Sequence, residues 1–132
     1  MTAPGSQKQT ILVVEDGETV RRLVCNLLNQ CGYDVLEAGD GQEAMEVWER
    51  HRDSIHLVLT DVLMPRMGGR ELARRLQAAR PGTRILFMSG YGEDPAVYAA
   101  LAPLFISKPF TTHALMKKVR EVLDAPASEP AM

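Results

Sequence analysis

The sequence predicts an α/β fold, a doubly wound sheet of five parallel strands with helices on both faces. Three observations carry that expectation. Five short apolar runs alternate with amphipathic stretches along the 132 residues. Most of the runs are unbroken rather than alternating, as parallel strands covered on both faces require. An amphipathic helix candidate fills each gap, which implies right-handed crossovers between neighbouring strands.

The elements follow in order. Thr10–Val14 opens the sheet. Val20, Leu23, Val24, Leu27 and Leu28 recur at helical spacing, and Gly32 stops that first helix. Asp34–Ala38 is the second strand. Asp40 and Glu43 make a capping-box-like start for a helix that turns Ala44, Val47 and Trp48 inward. Ile55–Thr60 is the third strand. Leu72, Leu76 and Ala79 mark the third helix, closed by Pro81-Gly82. Arg84–Met88 is the fourth strand, and Asp94-Pro95 fits an N-cap and first-turn pair for a short fourth helix through Leu101. Leu104–Ser107 is the fifth strand. Thr111 or Thr112 caps a fifth helix with Leu115, Val119, Val122 and Leu123 on one face. Residues 1–9 and 125–132, rich in Ala, Pro and Ser, read as tails around one domain over 10–124.

Composition narrows the function. Apolar residues at 45% and charged residues at 24% suit one globular domain with a single core. A formal charge of −2 gives no electrostatic case for nucleic acid. No apolar run approaches the ~20 residues that span a bilayer, and the N-terminus lacks a signal-peptide core. Cys25 and Cys31 have neither helical-neighbour nor zinc-ligand spacing, so two reduced thiols in a cytoplasmic protein are expected. His51, His56 and His113 have no ligand spacing among them.

Chemistry collects at one end of the strands. The first runs into Glu15-Asp16, the third into Asp61, the fourth into Ser89 and the fifth into Lys108-Pro109. Ligands of open α/β sheets bind at the carboxyl ends of the strands. Three carboxylates, a hydroxyl and an amine gathered there make a cation-and-phosphate site. Each motif alone has an ordinary reading as a cap, a turn or an exposed loop. Their joint occurrence at four strand ends does not.

These motifs are Val14-Glu15-Asp16, the Asp-x-x-Met-Pro-x-Met-x-Gly run from Asp61, Met88-Ser89-Gly90-Tyr91 and Lys108-Pro109-Phe110. With them the chain resembles a two-component response-regulator receiver domain from about Thr10 to Leu123. The resemblance implies a flavodoxin-like sheet of order 2-1-3-4-5. It implies Asp61 as the nucleophile that accepts a phosphoryl group from a histidine kinase or phosphotransfer protein. Mg²⁺, a hard cation, would be held by Glu15, Asp16, Asp61 and the backbone carbonyl of Leu63. Lys108 would contact the carboxylate and then the phosphoryl oxygens, which the Ser89 hydroxyl would also bond. Ser89 and Phe105 would form the conformational switch. A downstream protein partner would bind the face made by the fourth helix, fifth strand and fifth helix. No contact with nucleic acid or membrane is implied, and the only reactions are its own phosphorylation and dephosphorylation.

The sequence departs from the pattern in places. The acidic pair is Glu-Asp rather than Asp-Asp, Ser89 stands where Thr is more frequent, and Phe105 replaces the common Tyr. The stretch from Ser89 to Lys108 is short, which implies a trimmed fourth helix. Leu63 and Tyr91, by resemblance, flank the path of the hydrolytic water, and neither orients water well. Slow dephosphorylation is the expectation. A phosphatase of the haloacid dehalogenase type would want a second Asp where Leu63 stands. A pseudo-receiver, acting only as a binding module, would not need the full set of phosphorylation groups. The wording of the Ser-Gly-Tyr and Lys-Pro-Phe motifs resembles hybrid-kinase receivers, while the Met1 start and short tail fit a stand-alone regulator.

Overall fold

Alternate side chains of the strand β1 (Thr10–Val14) enter opposite cores. Ile11 and Val13 pack into one cluster, Leu12 and Val14 into the other. Successive residues of a strand point to opposite faces, so a strand buried on both sides has to be apolar throughout. The computed structural model describes residues 8–64, 66–89 and 105–125.

The strand β1 lies between β2 (Asp34–Ala38) and β3 (Ile55–Asp61), and beyond β3 come β4 (Ile85–Ser89) and β5 (Phe105–Ser107). All neighbours pair parallel in the order β2-β1-β3-β4-β5, as the sequence leads one to expect. Three strand bounds among the described residues differ from expectation, the first being that β4 starts at Ile85 rather than Arg84. β3 runs one residue further, because Asp61 still pairs with Met88, and β4 ends at Ser89, which pairs with Ser107. The ladder thus outlasts the apolar runs. Leu104 and the expected fourth helix over 94–101 lie outside the described residues, as do residues 1–7 and 126–132 of the expected tails.

One face of the sheet carries α1 (Glu18–Gln30) and α4 (Thr112–Asp124), the other α2 (Gly41–His51) and α3 (Gly69–Ala79). The inward face of α1 is Val24, Cys25 and Leu28, with Leu27 half-buried against it. Val20 and Leu23, expected inside, are 37% and 57% exposed. The apolar stripe is wider than the surface the sheet offers, and Cys25 takes the inner place. Burial pushes the Cys25 thiol up to about 11, which makes it an inert packing group. Gly32, at φ 97°, ends the helix: its N–H donates to Asn29 O and that of Tyr33 to Leu28 O, both at 3.1 Å. On α3, Leu72 and Leu76 are buried as expected, but Ala73 rather than the exposed Ala79 completes the face. Thr111 caps α4, its hydroxyl accepting the Ala114 N–H at 3.0 Å, and Leu115, Val119, Val122 and Leu123 are buried.

Candidate functional site

The acidic pair sits on the turn from β1 into α1, and that turn is tied down on three sides. The Glu15 N–H donates to the Ala38 carbonyl at 3.1 Å, which holds the turn against β2. The Arg21 guanidinium donates to the Glu15 carbonyl at 2.9 Å and to Glu37 Oε1 at 3.1 Å. Glu15 Oε2 accepts the Gly17 N–H at 3.0 Å, which fixes the carboxylate itself. Glu15 is 3% exposed whereas Asp16 is open to solvent. No side chain caps α1, so Asp16 is not spent on the helix.

Asp61 closes β3 at the centre of the sheet and is 7% exposed. The chain returns immediately onto it. The Gly69 N–H donates to the Val62 carbonyl at 2.8 Å, and a Cβ on Gly69 would fall 2.1 Å from the Asp61 carbonyl oxygen. Only a residue without a side chain lets α3 start so near the end of β3.

Lys108, just past β5, reaches back over both carboxylates. Its Nζ donates to Glu15 Oε1 at 2.7 Å and to Asp61 Oδ2 at 2.9 Å. Burial works to lower its pKa, but the hydrogen bonds and charges of Glu15 and Asp61 more than offset this and hold it above the ordinary lysine range. The Lys108-Pro109 peptide bond is cis.

Ligand oxygens of Glu15, Asp16 and Asp61 all lie within 4.8 Å of one another. Three carboxylates against one ammonium leave a surplus of negative charge in a partly buried place. A set made only of oxygen donors matches a hard divalent cation, and octahedral ligands at ~2.1 Å stand ~3 to 4 Å apart. The residues therefore fit Mg²⁺. The Leu63 carbonyl takes no hydrogen bond among the described residues, and its side chain is 65% exposed.

The geometry thus joins Glu15, Asp16, Asp61 and Lys108, as the sequence leads one to expect. The backbone of Ser89 lies at the same sheet end, one residue past the partner of Asp61. Phe105 stacks on Phe87 with ring centroids 5.6 Å apart and 23° between planes. Tyr91 lies outside the described residues. Of the histidines, all exposed, His56 accepts the Thr10 N–H on Nδ1 at 2.9 Å and does a structural job. Sequence reasoning missed Arg21 and Arg66. Nothing in the local pattern marks either, since their partners lie on other elements.

Comparison with known proteins settles the family. The response regulator receiver domain family matches residues 11–120. The chain belongs to this family. The receiver is 37% identical over 124 residues to the sensor kinase CckA of Brucella abortus, which covers 90% of this chain and 13% of that protein. It is 35% identical over 127 residues to a chemotaxis protein CheY homologue of Campylobacter jejuni, covering 92% of this chain and 97% of the relative. Among solved structures, the response regulator TrrA of Thermotoga maritima, in complex with Mg²⁺ and BeF, superposes with a TM-score of 0.79 at 26% identity. That alignment covers 86% of this chain and 98% of the other. The protein is a receiver domain of two-component signalling, and no helix among its described residues is long and apolar enough to cross a membrane.

Proposed function

We propose that this receiver, spanning residues 10–124, takes a phosphoryl group onto Asp61 from the phosphohistidine of a histidine kinase or phosphotransfer protein. A carboxylate oxygen of Asp61 forms the new P–O bond as the P–N bond to the donor imidazole breaks. The observation that carries the reading is the Lys108 ammonium bridging Glu15 and Asp61 beside a third carboxylate. Lys108 keeps its positive charge through the reaction and turns it from the carboxylate to the incoming phosphoryl oxygens. Glu15, Asp16, Asp61 and the Leu63 carbonyl would hold Mg²⁺, which when bound neutralises charge on the transferring group. The Ser89 hydroxyl would donate to a phosphoryl oxygen.

The added charge shifts a conformational equilibrium that includes Ser89 and Phe105. A change of Phe105 rotamer would give up its stacking on Phe87, and with no phenol it forms no replacement hydrogen bond. The altered surface, to which β5 and α4 contribute among the described residues, would meet a downstream protein. The two free thiols agree with a cytoplasmic setting beside the phosphodonor.

Asp61 is predicted to be the sole acceptor. Wild type and Asp61→Asn would be treated with acetyl phosphate and Mg²⁺ and weighed by intact mass spectrometry. Wild type should gain one phosphoryl mass and the variant none. A phosphorylated Asn variant would move the acceptor elsewhere.

A further inference from the structure

Arg66 stands in the loop between β3 and α3 with φ of 65°, a left-handed conformation uncommon for a residue bearing a Cβ. Such a conformation persists where the surroundings over-determine it. What holds Arg66 is Asp40. The guanidinium pairs with Asp40 Oδ2 through Nη2 and also through Nε at 3.1 Å. The other oxygen, Oδ1, accepts the Glu43 N–H at 2.8 Å as the N-cap of α2. The Asp40 side chain is only 6% exposed, so a buried carboxylate gives one oxygen to a helix and the other to the loop.

The next residue is pinned too. The Met67 carbonyl accepts the Gly41 N–H at 3.1 Å, and a Cβ on Gly41 would fall 2.6 Å from that oxygen. At the start of the loop the Val62 N–H donates to Met88 O at 3.2 Å. Leu63 therefore lies between an anchor on β4 and an anchor on α2. An ion pair on a solvent-facing arginine usually adds little stability. This one restrains the backbone that leads on from Asp61, one of three clustered carboxylates, and that gives it a task beyond stability.

We infer that Arg66 is a positioning residue for divalent-cation binding. Its pair with Asp40 latches the loop to α2 and so keeps the Leu63 carbonyl in place beside Glu15, Asp16 and Asp61. The inference rests on the cation site proposed above. Asp40→Asn retains the capping oxygen and loses the charge; Arg66→Gln loses the charge from the other side. Mg²⁺ affinity would be measured calorimetrically on the whole chain for both variants, their double variant and Arg66→Lys, with amide exchange at Gly41 read in parallel. Each single variant should bind Mg²⁺ about tenfold more weakly, with faster Gly41 exchange and the fold retained. The double variant should lose no more than the weaker single one, because one shared interaction has gone. Arg66→Lys should recover part of the loss. Unchanged affinity in both single variants, or losses that simply add, would overturn the latch while leaving the cation site intact. A wild-type chain that binds no Mg²⁺ would overturn the cation site and the latch together.

Discussion

The two ends of the sheet differ in how far their charges are paired. At the amino end of the strands, arginines satisfy backbone carbonyls and exposed acids. Arg84 donates to the Val122 carbonyl at 3.1 Å and to that of Ala125 at 2.9 Å, closing the last turn of α4. Arg120 bonds Tyr33, Gln9 and Asp124 together, and Arg80 takes the Arg52 carbonyl and Asp53. Charges there meet partners and face water. At the carboxyl end Arg21 and Arg66 are paired in the same way, but one lysine serves two buried carboxylates and a third, Asp16, has no partner among the described residues. Balanced charge marks the end that holds the fold. Surplus charge marks the end where the divalent cation is proposed to bind.

The largest test of that contrast removes one cation from each end. A buried ion pair that loses one partner costs ~3–5 kcal/mol, and a quarter of the Lys108 side chain is exposed, so Lys108→Met should lose about 2 kcal/mol at neutral pH. Arg120→Met, whose side chain is 48% exposed, should lose under ~1 kcal/mol. Urea denaturation of both decides it, and equal losses would erase the distinction. The sign with pH follows from the raised pKa of Lys108. Its pairing is fully present below the unfolded value of 10.5 and fades as pH rises through the higher folded value. The gap between wild type and Lys108→Met should therefore close only in strong alkali.

A smaller effect comes from the same Asp→Asn change at each end. Mg²⁺ at thirty times its Kd should stabilise wild type by about 2 kcal/mol. Asp16→Asn should lose most of that increment and, relieved of repulsion, melt slightly higher without the ion. Asp124→Asn should keep the increment in full. Melting curves with and without Mg²⁺ read both, and an undiminished shift in Asp16→Asn would move the ion elsewhere.

The smallest effect refines the carboxyl end alone. Leu63 is 65% exposed, so Leu63→Asn should leave stability unchanged while giving water a hydrogen-bonding guide. The phosphorylated wild type should decay over many minutes. The variant should decay about fivefold faster, or about 1 kcal/mol in barrier. Decay followed after removal of the phosphodonor tests both statements, and an equal rate would sink the water argument.

The strands and most of the site were legible because both depend on local pattern. Unbroken apolar runs report two buried faces, and a charged residue at the end of such a run has to lie at the sheet's rim. Asp40 and Thr111 were legible as caps for the same reason. The inner face of α1 was harder. Val20 and Leu23 belong to a stripe broader than its contact, and only packing decides which flank is covered. Ala73 and Ala79 were exchanged because a small residue carries little directional signal. The Arg66–Asp40 pair joins residues 26 apart on different elements, and no spacing rule reaches across such a gap.

The site is drawn from distant parts of the chain, with Lys108 and Glu15 separated by 93 residues and Lys108 and Asp61 by 47. Closing loops of that length costs entropy before any contact repays it, and non-local pairing forms slowly. A chain that has not brought β5 beside β4 and β3 beside β1 holds no such cluster. Competence for the proposed phosphoryl transfer is therefore coincident with completed folding. On the proposed reading, a half-made or locally opened molecule would present a phosphodonor with a carboxylate lacking its lysine, and so would stay silent rather than send a false message.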